Sequence, residues 1–382
     1  MTRLRRHAVC AVGFMLAWQF VTAAGGGQAT GGATIPDDDG WTRAQPGYAW
    51  RFPRDHGSHP PYQIEWWYYT GNLAAADGRA FGYQVTFFRF GVDPAPENPS
   101  RWAVRDLYMA HLALSDVSGA RHLVAERLDR GSLGWAGARS GTLDVWNGDW
   151  RAALDGDRHH LDARDGSFGI DLYLEPGKGP TRHGVDGFSR KGAAPGNASH
   201  YYSMTRMPTS GRLRIDGEWL EVTGSSWMDH EFGTSFLEPG QVGWDWFSIQ
   251  LDDGSDLMLF QLRRADGQPD VYSAGTWVGA DGAATALERG GLRLLPGRRW
   301  SSPSSGAAYP VEWRVELPGR QAHFDVSAAF DAQELHTAAS TGVTYWEGAV
   351  RVSGQVAGRQ VTGRGYLEMT GYSGRPMSEV FR

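Results

Sequence analysis

The chain has 382 residues, with 17 Trp, 14 Tyr, 16 Phe and a single Cys, and its 43 acidic against 37 basic side chains give a formal net charge of −6. That acidic balance, with no Lys/Arg cluster, excludes a reader of nucleic-acid backbones, which needs a basic face. One cysteine excludes a disulfide framework and a cysteine-built metal centre.

In chain order, residues 1–23 read as an export signal. Arg3, Arg5 and Arg6 form a basic start, Ala8 to Val21 an apolar run, and Val21-Thr22-Ala23 a small-residue cleavage site. The run is shorter than the ~20 residues of a spanning helix, so a retained anchor is only the alternative. Arg5-Arg6 fits a twin-arginine signal poorly. Cleavage would remove Cys10 and the three arginines, taking the net charge from −6 to −9. The expected location is secreted or periplasmic. What is left is long enough for two domains.

Residues 24–45, rich in Gly, Thr, Asp and Pro, read as a flexible linker. From Tyr48 onward, short alternating runs are separated by Gly/Asp/Asn turns at a spacing of roughly 8–15 residues, the pattern of antiparallel barrels and sandwiches. The runs begin with Gln63–Thr70 and Ala80–Arg89 and end with Gly348–Val356 and Arg359–Met369. Asp77-Gly78, Asp216-Gly217, Asp253-Gly254 and Asp281-Gly282 supply hairpin turns. Only Ser100–Leu107 and Asp331–Leu335 are expected to form a turn or two of helix. The chain is therefore expected to be all-β. A seam falls near residues 230–242, where long polar inserts such as Lys178–Ala198 give way to compact strands.

Three constellations are candidates for chemistry. In Glu65-Trp66-Trp67-Tyr68-Tyr69-Thr70, strand alternation puts Glu65, Trp67 and Tyr69 on one face and Trp66, Tyr68 and Thr70 on the other. One aromatic face can fill a barrel while the other packs on a neighbouring domain. Glu65 among aromatics is either hydrogen-bonded or raised in pKa. The second constellation pairs His200 and Tyr202, on one face of Ser199–Ser203, with Trp227 and Asp229, on one face of Ser225–Glu231. If these faces share a cavity, an acid, an imidazole and two rings converge, able to move a proton and to stabilise a passing cation. Otherwise Asp229 is a buried hydrogen-bonding anchor. The third is Asp245, in the apolar alternation of Phe247, Ile249 and Leu251, where a carboxylate is either paired or functional. His56-Gly-Ser-His59 and His159-His160 lack a carboxylate at metal-site spacing and read as surface loops. No metal and no cofactor is expected. No G-x-S-x-G elbow or phosphate loop is present, and Asn197-Ala-Ser199 matches a glycosylation acceptor only formally.

The segments Ile64–Leu73, His200-Tyr201-Tyr202-Ser203, Ser226–Glu231 and Val242–Phe247 resemble, in order, the AttH-like proteins and the carotenoid 1,2-hydratases (hydroxyneurosporene synthases), often labelled secreted hydrolases. More distantly, the chain resembles two-barrel enzymes that fold polyenes by intramolecular cycloaddition. The resemblance implies two lipocalin-like antiparallel β-barrels packed side by side, a hydratase-type barrel over 46–232 and a second over 233–382. It also implies addition of water to an isoprenoid double bond by an Asp acid through a tertiary cation. The hydratase His-x-Trp and Tyr-x-Asp pairs correspond to His200-x-Tyr202 and Trp227-x-Asp229, with His and Asp retained and the aromatics changed.

Two readings follow. In the first the chain is a hydro-lyase of the carotenoid-hydratase kind, with Asp229 as acid, His200 activating water and Tyr202 and Trp227 lining the cation. In the second it is a non-catalytic periplasmic carrier of a hydrophobic molecule, associated with the membrane surface or an ABC-type exporter. Under both, Glu65, Trp67, Tyr69, Trp244, Asp245 and Trp246 are candidate ligand contacts, and a monomer is expected. A hydrolase finds no nucleophile–base pair.

Overall fold

The structure is a computed structural model that describes residues 39–234 and 237–374. The export signal and most of the linker lie outside the described residues. Within them the chain is all-β, with only four short 3-10 turns.

The first sheet opens with a meander, β1 (Ile64–Ala75), β2 (Ala80–Gly91), β3 (Asp106–Asp116) and β4 (Arg121–Arg130). Short strands follow: β5 (Ala136–Ala138), β6 (Asp144–Asn147), β7 (Trp150–Asp155), β8 (Arg158–Asp165) and β9 (Phe168–Leu174). Two fragments, β10 (Thr181–Arg182) and β11 (Phe188–Arg190), precede the long hairpin β12 (Ala198–Ile215) and β13 (Glu218–Gly233). The order β4-β3-β2-β1-β13-β12-β9-β8-β7-β6-β5 is antiparallel throughout. The sheet curls so that its two ends meet. Arg127 of β4 donates to the Asn147 carbonyl at 2.9 Å and lies over the Trp150 ring, and Asn147 donates to the Tyr108 carbonyl. The barrel interior is filled by Trp67, Tyr69, Tyr83, Phe87, Leu112, Trp150, Leu172 and their neighbours.

The second sheet holds β14 (Gln241–Leu251), β15 (Asp256–Arg264), β16 (Ala274–Val278), β17 (Ala284–Glu288), β18 (Arg293–Pro296), β21 (Glu312–Leu317), β22 (Ala322–Ala328), β23 (Glu334–Thr337), β24 (Val343–Val356) and β25 (Arg359–Met369). A small ribbon, β19 (Arg299–Ser301) with β20 (Ala308–Pro310), stands apart. This sheet wraps around its own core of Phe247, Ile249, Leu257, Trp313, Phe324, Trp346 and Leu367.

The Asp216-Gly217 hairpin has φ of +52° and +89° at its two residues, as a tight two-residue turn requires. Neither Ser100–Leu107 nor Asp331–Leu335 is helical: both are turns and bends leading into strands, because apolar residues there serve sheet faces and supply no helical stripe. The linker reading also ends early. Trp41, Thr42 and Ala44 are buried, and the Trp41 ring lies so close to Gly91 that a Cβ there would sit 2.2 Å from it.

The two sheets meet across β1, β2, β12 and β13 on one side and β14, β15, β24 and β25 on the other. Gly82 permits the close approach, since a Cβ there would lie 2.7 Å from that of Ala349. Asn72 donates to the Gly365 carbonyl and Gln250 to the carbonyls of Thr205 and Ser226. The Lys178–Ala198 insert is part of this contact. Lys178 Nζ reaches Asp256 at 2.7 Å and the Gly254 and Gly279 carbonyls, while Arg206 and Thr205 bind the same carboxylate at 2.6 and 2.8 Å. Asp256 is fully buried, so its removal would strand two cations at the seam. Asp256→Ala is expected to lower stability by about 3–5 kcal/mol, read as a lower urea midpoint, with Asp256→Asn falling between it and the wild type.

Candidate active site

Strands β1, β13 and β12 are buried on both faces, and each face carries its own set of polar side chains. Directly opposed residues of an antiparallel pair project to the same side. The register sets Asp229 opposite Tyr68 and Ser203, and Glu231 opposite Trp66 and Tyr201. These residues, with Trp227, face the second barrel. Trp244 and Trp246 of β14, Phe260 and Leu262 of β15, and Glu368 of β25 face them across a cleft whose enclosed space is about 120 Å³.

The cleft is apolar and aromatic, yet carboxyl groups line it. Asp229 Oδ1 accepts from Trp227 Nε1 at 2.6 Å and from Ser203 Oγ, and Oδ2 lies 2.6 Å from the Tyr201 hydroxyl. Burial pushes the Asp229 carboxyl up to about 7, against the pull of these hydrogen bonds and with the Glu231 charge adding to the rise. Burial likewise pushes Glu368 up to about 7, although Trp244 Nε1 donates to it at 3.0 Å. Glu347, which accepts from the Tyr68 hydroxyl at 2.6 Å, is pushed well above the carboxylate range by burial and by Glu368. Glu231 differs. It is ion-paired to Lys191 at 3.0 Å, and that ammonium also lies over the Phe260 and Tyr201 rings. His111, at the wall, is held neutral by burial, its pKa near 3. A carboxyl that is still partly protonated at neutral pH inside an aromatic cavity is equipped to protonate an apolar substrate.

The other face of the same strands points into the first barrel, and several candidates lie there. His200 sits among Tyr48, Tyr62 and Phe232, its Nδ1 without a hydrogen-bond partner among the described residues and its pKa lowered by burial to about 3. Tyr202 shares hydrogen bonds with His56 at 2.7 Å and His230 at 3.2 Å. His200 and Tyr202 therefore do not meet Asp229. The register pairs His200 with Phe232 and Tyr202 with His230, so the pleat turns both away from the cleft. Glu65, Trp67 and Tyr69 also face inward, and are not cleft contacts. Trp67 donates to the His56 carbonyl and Tyr69 bonds His159.

Glu65 is the centre of a buried hub. It accepts from Ser58, from the backbone and ring of His59, from Arg89 Nε at 3.0 Å and from His230 at 3.0 Å. Burial would raise its pKa, but the hydrogen bonds from His230 and His59 and the Arg89 charge outweigh it and hold the carboxyl well below its usual range. His59, Glu65 and His230 bring ligating atoms within 4.8 Å of one another. A cation does not fit among them, because Arg89 already supplies the positive charge and spans to Asp106 at 2.9 Å. The surface-loop reading of His56 and His159 is also corrected: both are buried in this barrel.

Asp245 faces the interior of the second barrel, 3.2 Å from Arg263 Nε and 2.9 Å from the Tyr372 hydroxyl, and so is paired and not in the cleft. Of the candidates, Asp229, Trp244 and Trp246 line the cleft, and Trp227 reaches it through its hydrogen bond to Asp229. Sequence reasoning missed Tyr201, Glu231, Glu347, Glu368 and Lys191. The alternation rule would have found Glu231 once Asp229 was placed; Tyr201 follows only from the register of β12 on β13. Glu347 and Glu368 stand opposite each other in β24 and β25, a pairing invisible before the fold.

The raised Asp229 pKa fixes a pH dependence of stability. In the unfolded chain an Asp titrates near ~4, so its stabilising contribution is complete below that pH and is lost as pH rises toward about 7, where the folded carboxyl ionises. Asp229→Asn cannot ionise and keeps a donor toward Tyr201. Its Tm relative to wild type is expected to climb between pH 5 and pH 8, measured by calorimetry at both.

The AttH-like family model matches residues 43–372. No curated protein sequence matches the chain. Among solved structures, an AttH protein of Nitrosomonas europaea is 36% identical, with 87% of this chain and 99% of that one aligned at a TM-score of 0.78. Kievitone hydratase of Nectria haematococca is 17% identical over 88% of this chain and 97% of its own, with a TM-score of 0.66. CghA, solved with Sch210972, is 16% identical over 83% and 90%, with a TM-score of 0.50. The two-barrel fold is thus shared with a hydratase, and the chain belongs to the AttH-like family.

Proposed function

We propose that this protein takes an acyclic isoprenoid or related polyene into the cleft between its barrels and adds water across a carbon–carbon double bond. The observation that carries the proposal is Asp229, a carboxyl kept protonated near neutral pH by burial on an aromatic wall. A general acid works best with a pKa near the operating pH, and a neutral one admits an apolar alkene without a desolvation cost for charge. Likeness in fold to kievitone hydratase supports the reaction class.

The sequence of events balances within the cleft. The alkene π pair takes the proton originating on Asp229, forming a C–H bond and a tertiary cation while the acid becomes a carboxylate. The rings of Trp246, Trp244 and Tyr68 around the site offer faces to that cation. Water adds to the cation, forming the C–O bond, and its surplus proton returns to the carboxylate. His200 takes no part, being neutral and on the far side of β12. The basic, apolar and small-residue grammar of residues 1–23 supports an exported, periplasmic or secreted protein.

The experiment is incubation of the protein with squalene or lycopene in heavy-oxygen water, with mass spectrometry for labelled tertiary alcohol. Wild type is expected to incorporate label. Asp229→Asn is expected to lose turnover by roughly 10²–10⁴-fold while quenching of tryptophan fluorescence by the polyene is unchanged. Quenching without label in the wild type would instead identify a carrier. A second expected outcome is a fall in kcat as pH rises through about 7, as the proton is lost from Asp229. A rate flat from pH 5 to pH 9 would remove Asp229 as the acid.

A further inference from the structure

Three hydrogen bonds around Asp229 constrain where its proton lies. Trp227 Nε1 can only donate, and at 2.6 Å from Oδ1 it requires that oxygen to be an acceptor. Ser203 Oγ donates to the same oxygen and is itself 2.6 Å from His183 Nε2. His183 Nδ1 in turn lies 2.8 Å from Thr276 Oγ1. With the His183 proton on Nε2, this chain runs in one direction, from imidazole to Ser203 to Oδ1. Oδ1 is then the carbonyl oxygen of the acid, and the acidic hydrogen belongs on Oδ2.

The polar neighbour of Oδ2 is the Tyr201 hydroxyl, 2.6 Å away. That hydroxyl already accepts from Trp246 Nε1 at 3.0 Å, and an indole nitrogen again can only donate. When Asp229 is protonated, the Tyr201 oxygen therefore accepts twice, and its own hydrogen has neither of these partners to point at. Tyr201 lines the cleft.

We infer that Tyr201 is the group that hands the proton to the substrate, with Asp229 replenishing it in the same step. This rests on the hydration reading above and adds a catalytic residue to it. The phenol O–H bond breaks as the alkene π pair forms the C–H bond, and the Asp229 Oδ2–H bond breaks as the phenol O–H re-forms. The charge left behind sits on the Asp229 carboxylate, where Trp227, Ser203 and the restored Tyr201 hydroxyl all donate to it. The arrangement of hydrogen bonds found around Asp229 is thus complementary to the state after proton transfer. The proton released by the adding water returns by the same path.

The test joins kinetics to infrared spectroscopy on the full chain. At pH 6 the wild type is expected to show a protonated-carboxyl C=O band that Asp229→Asn removes and that Tyr201→Phe moves to higher wavenumber, because the acid has lost its acceptor. With squalene in heavy-oxygen water, Tyr201→Phe is expected to lower kcat by roughly 10²-fold with tryptophan quenching by squalene unchanged. If the wild type incorporates label and Tyr201→Phe does so at the same kcat, the relay is overturned and the hydration reading stands. If no label enters the wild type, the hydration reading falls and the relay falls with it; if the wild type does incorporate label, an unmoved band in Tyr201→Phe overturns the relay alone. Absence of any Asp229 carboxyl band in the wild type overturns it even if Tyr201→Phe fails to fold.

Discussion

Strands β1, β13 and β12 form a wall one residue thick between two buried environments, and the pleat of that wall decides what chemistry each side holds. Residues adjacent along a strand project to opposite faces, so Asp229 and His230 cannot share a site, nor can Tyr201 and Tyr202. The cleft side receives Trp66, Tyr68, Tyr201, Trp227, Asp229 and Glu231, while the barrel side receives Glu65, Trp67, Tyr69, His200, Tyr202 and His230. A slip of one residue in the pairing of β12 with β13 would exchange the two sets and destroy both environments at once. The long hairpin and its neighbours fix that register with Tyr83, Thr209 and Ser226, whose hydroxyls bond one another beneath Gly71.

The barrel side explains why the ligand site lies between the barrels. A small barrel either fills its interior with side chains or keeps it open for a ligand. Here Trp67, Tyr69, Trp150 and the buried histidines fill it, and the Arg89–Glu65–Asp106 hub closes one end under residues 54–62. Arg89 donates to two backbone carbonyls of that segment as well as to both carboxylates, so the plug and the charge balance are one arrangement. Breaking it would leave a buried charge uncompensated. With both barrel interiors packed, the space for a ligand is the seam, where Gly82 and Ala349 touch at one place and the aromatic residues stand apart at another.

Much of this was legible before the fold was known. Alternation in the Glu65–Thr70 run separated the face that fills a barrel from the face that meets a neighbour, and Tyr68 does reach Glu347 of the second sheet. The same rule put Trp227 with Asp229 correctly. It failed at His200 because alternation orders residues within a strand, while the relation between two strands depends on register, set here by pairing Ser203 with Asp229. A motif carried over from a family preserved the letters His and Asp without saying which faces they occupied. The linker up to residue 45 was misread for a related reason: Trp41 is one aromatic residue in a polar stretch, and its pocket exists only because Gly91, far along the chain, leaves room for the ring. Glu347 and Glu368 come from neighbouring strands of the second sheet, and nothing local marks either as part of a site built mostly by the first.

The balance of charge in the cleft ties these features to the proposed chemistry. Three carboxyls in the cleft, with Glu347 buried just behind them at the Tyr68 hydroxyl, stand against a single ammonium, an arrangement that would be costly if all were ionised. Burial resolves it by keeping Asp229, Glu347 and Glu368 protonated or partly so, leaving Lys191 to pair with Glu231. The resting cleft is then close to neutral and suited to an apolar molecule. Transfer of one proton to an alkene creates a cation and a carboxylate together, side by side in a medium of low dielectric, so that their attraction is large and no isolated charge is ever buried. A more acidic, solvated Asp would already be ionised at neutral pH and have no proton to give, while a fully isolated one would resist losing it. The partial compensation by Trp227, Ser203 and Tyr201 places Asp229 between those limits, and that intermediate position is what the two-faced wall secures.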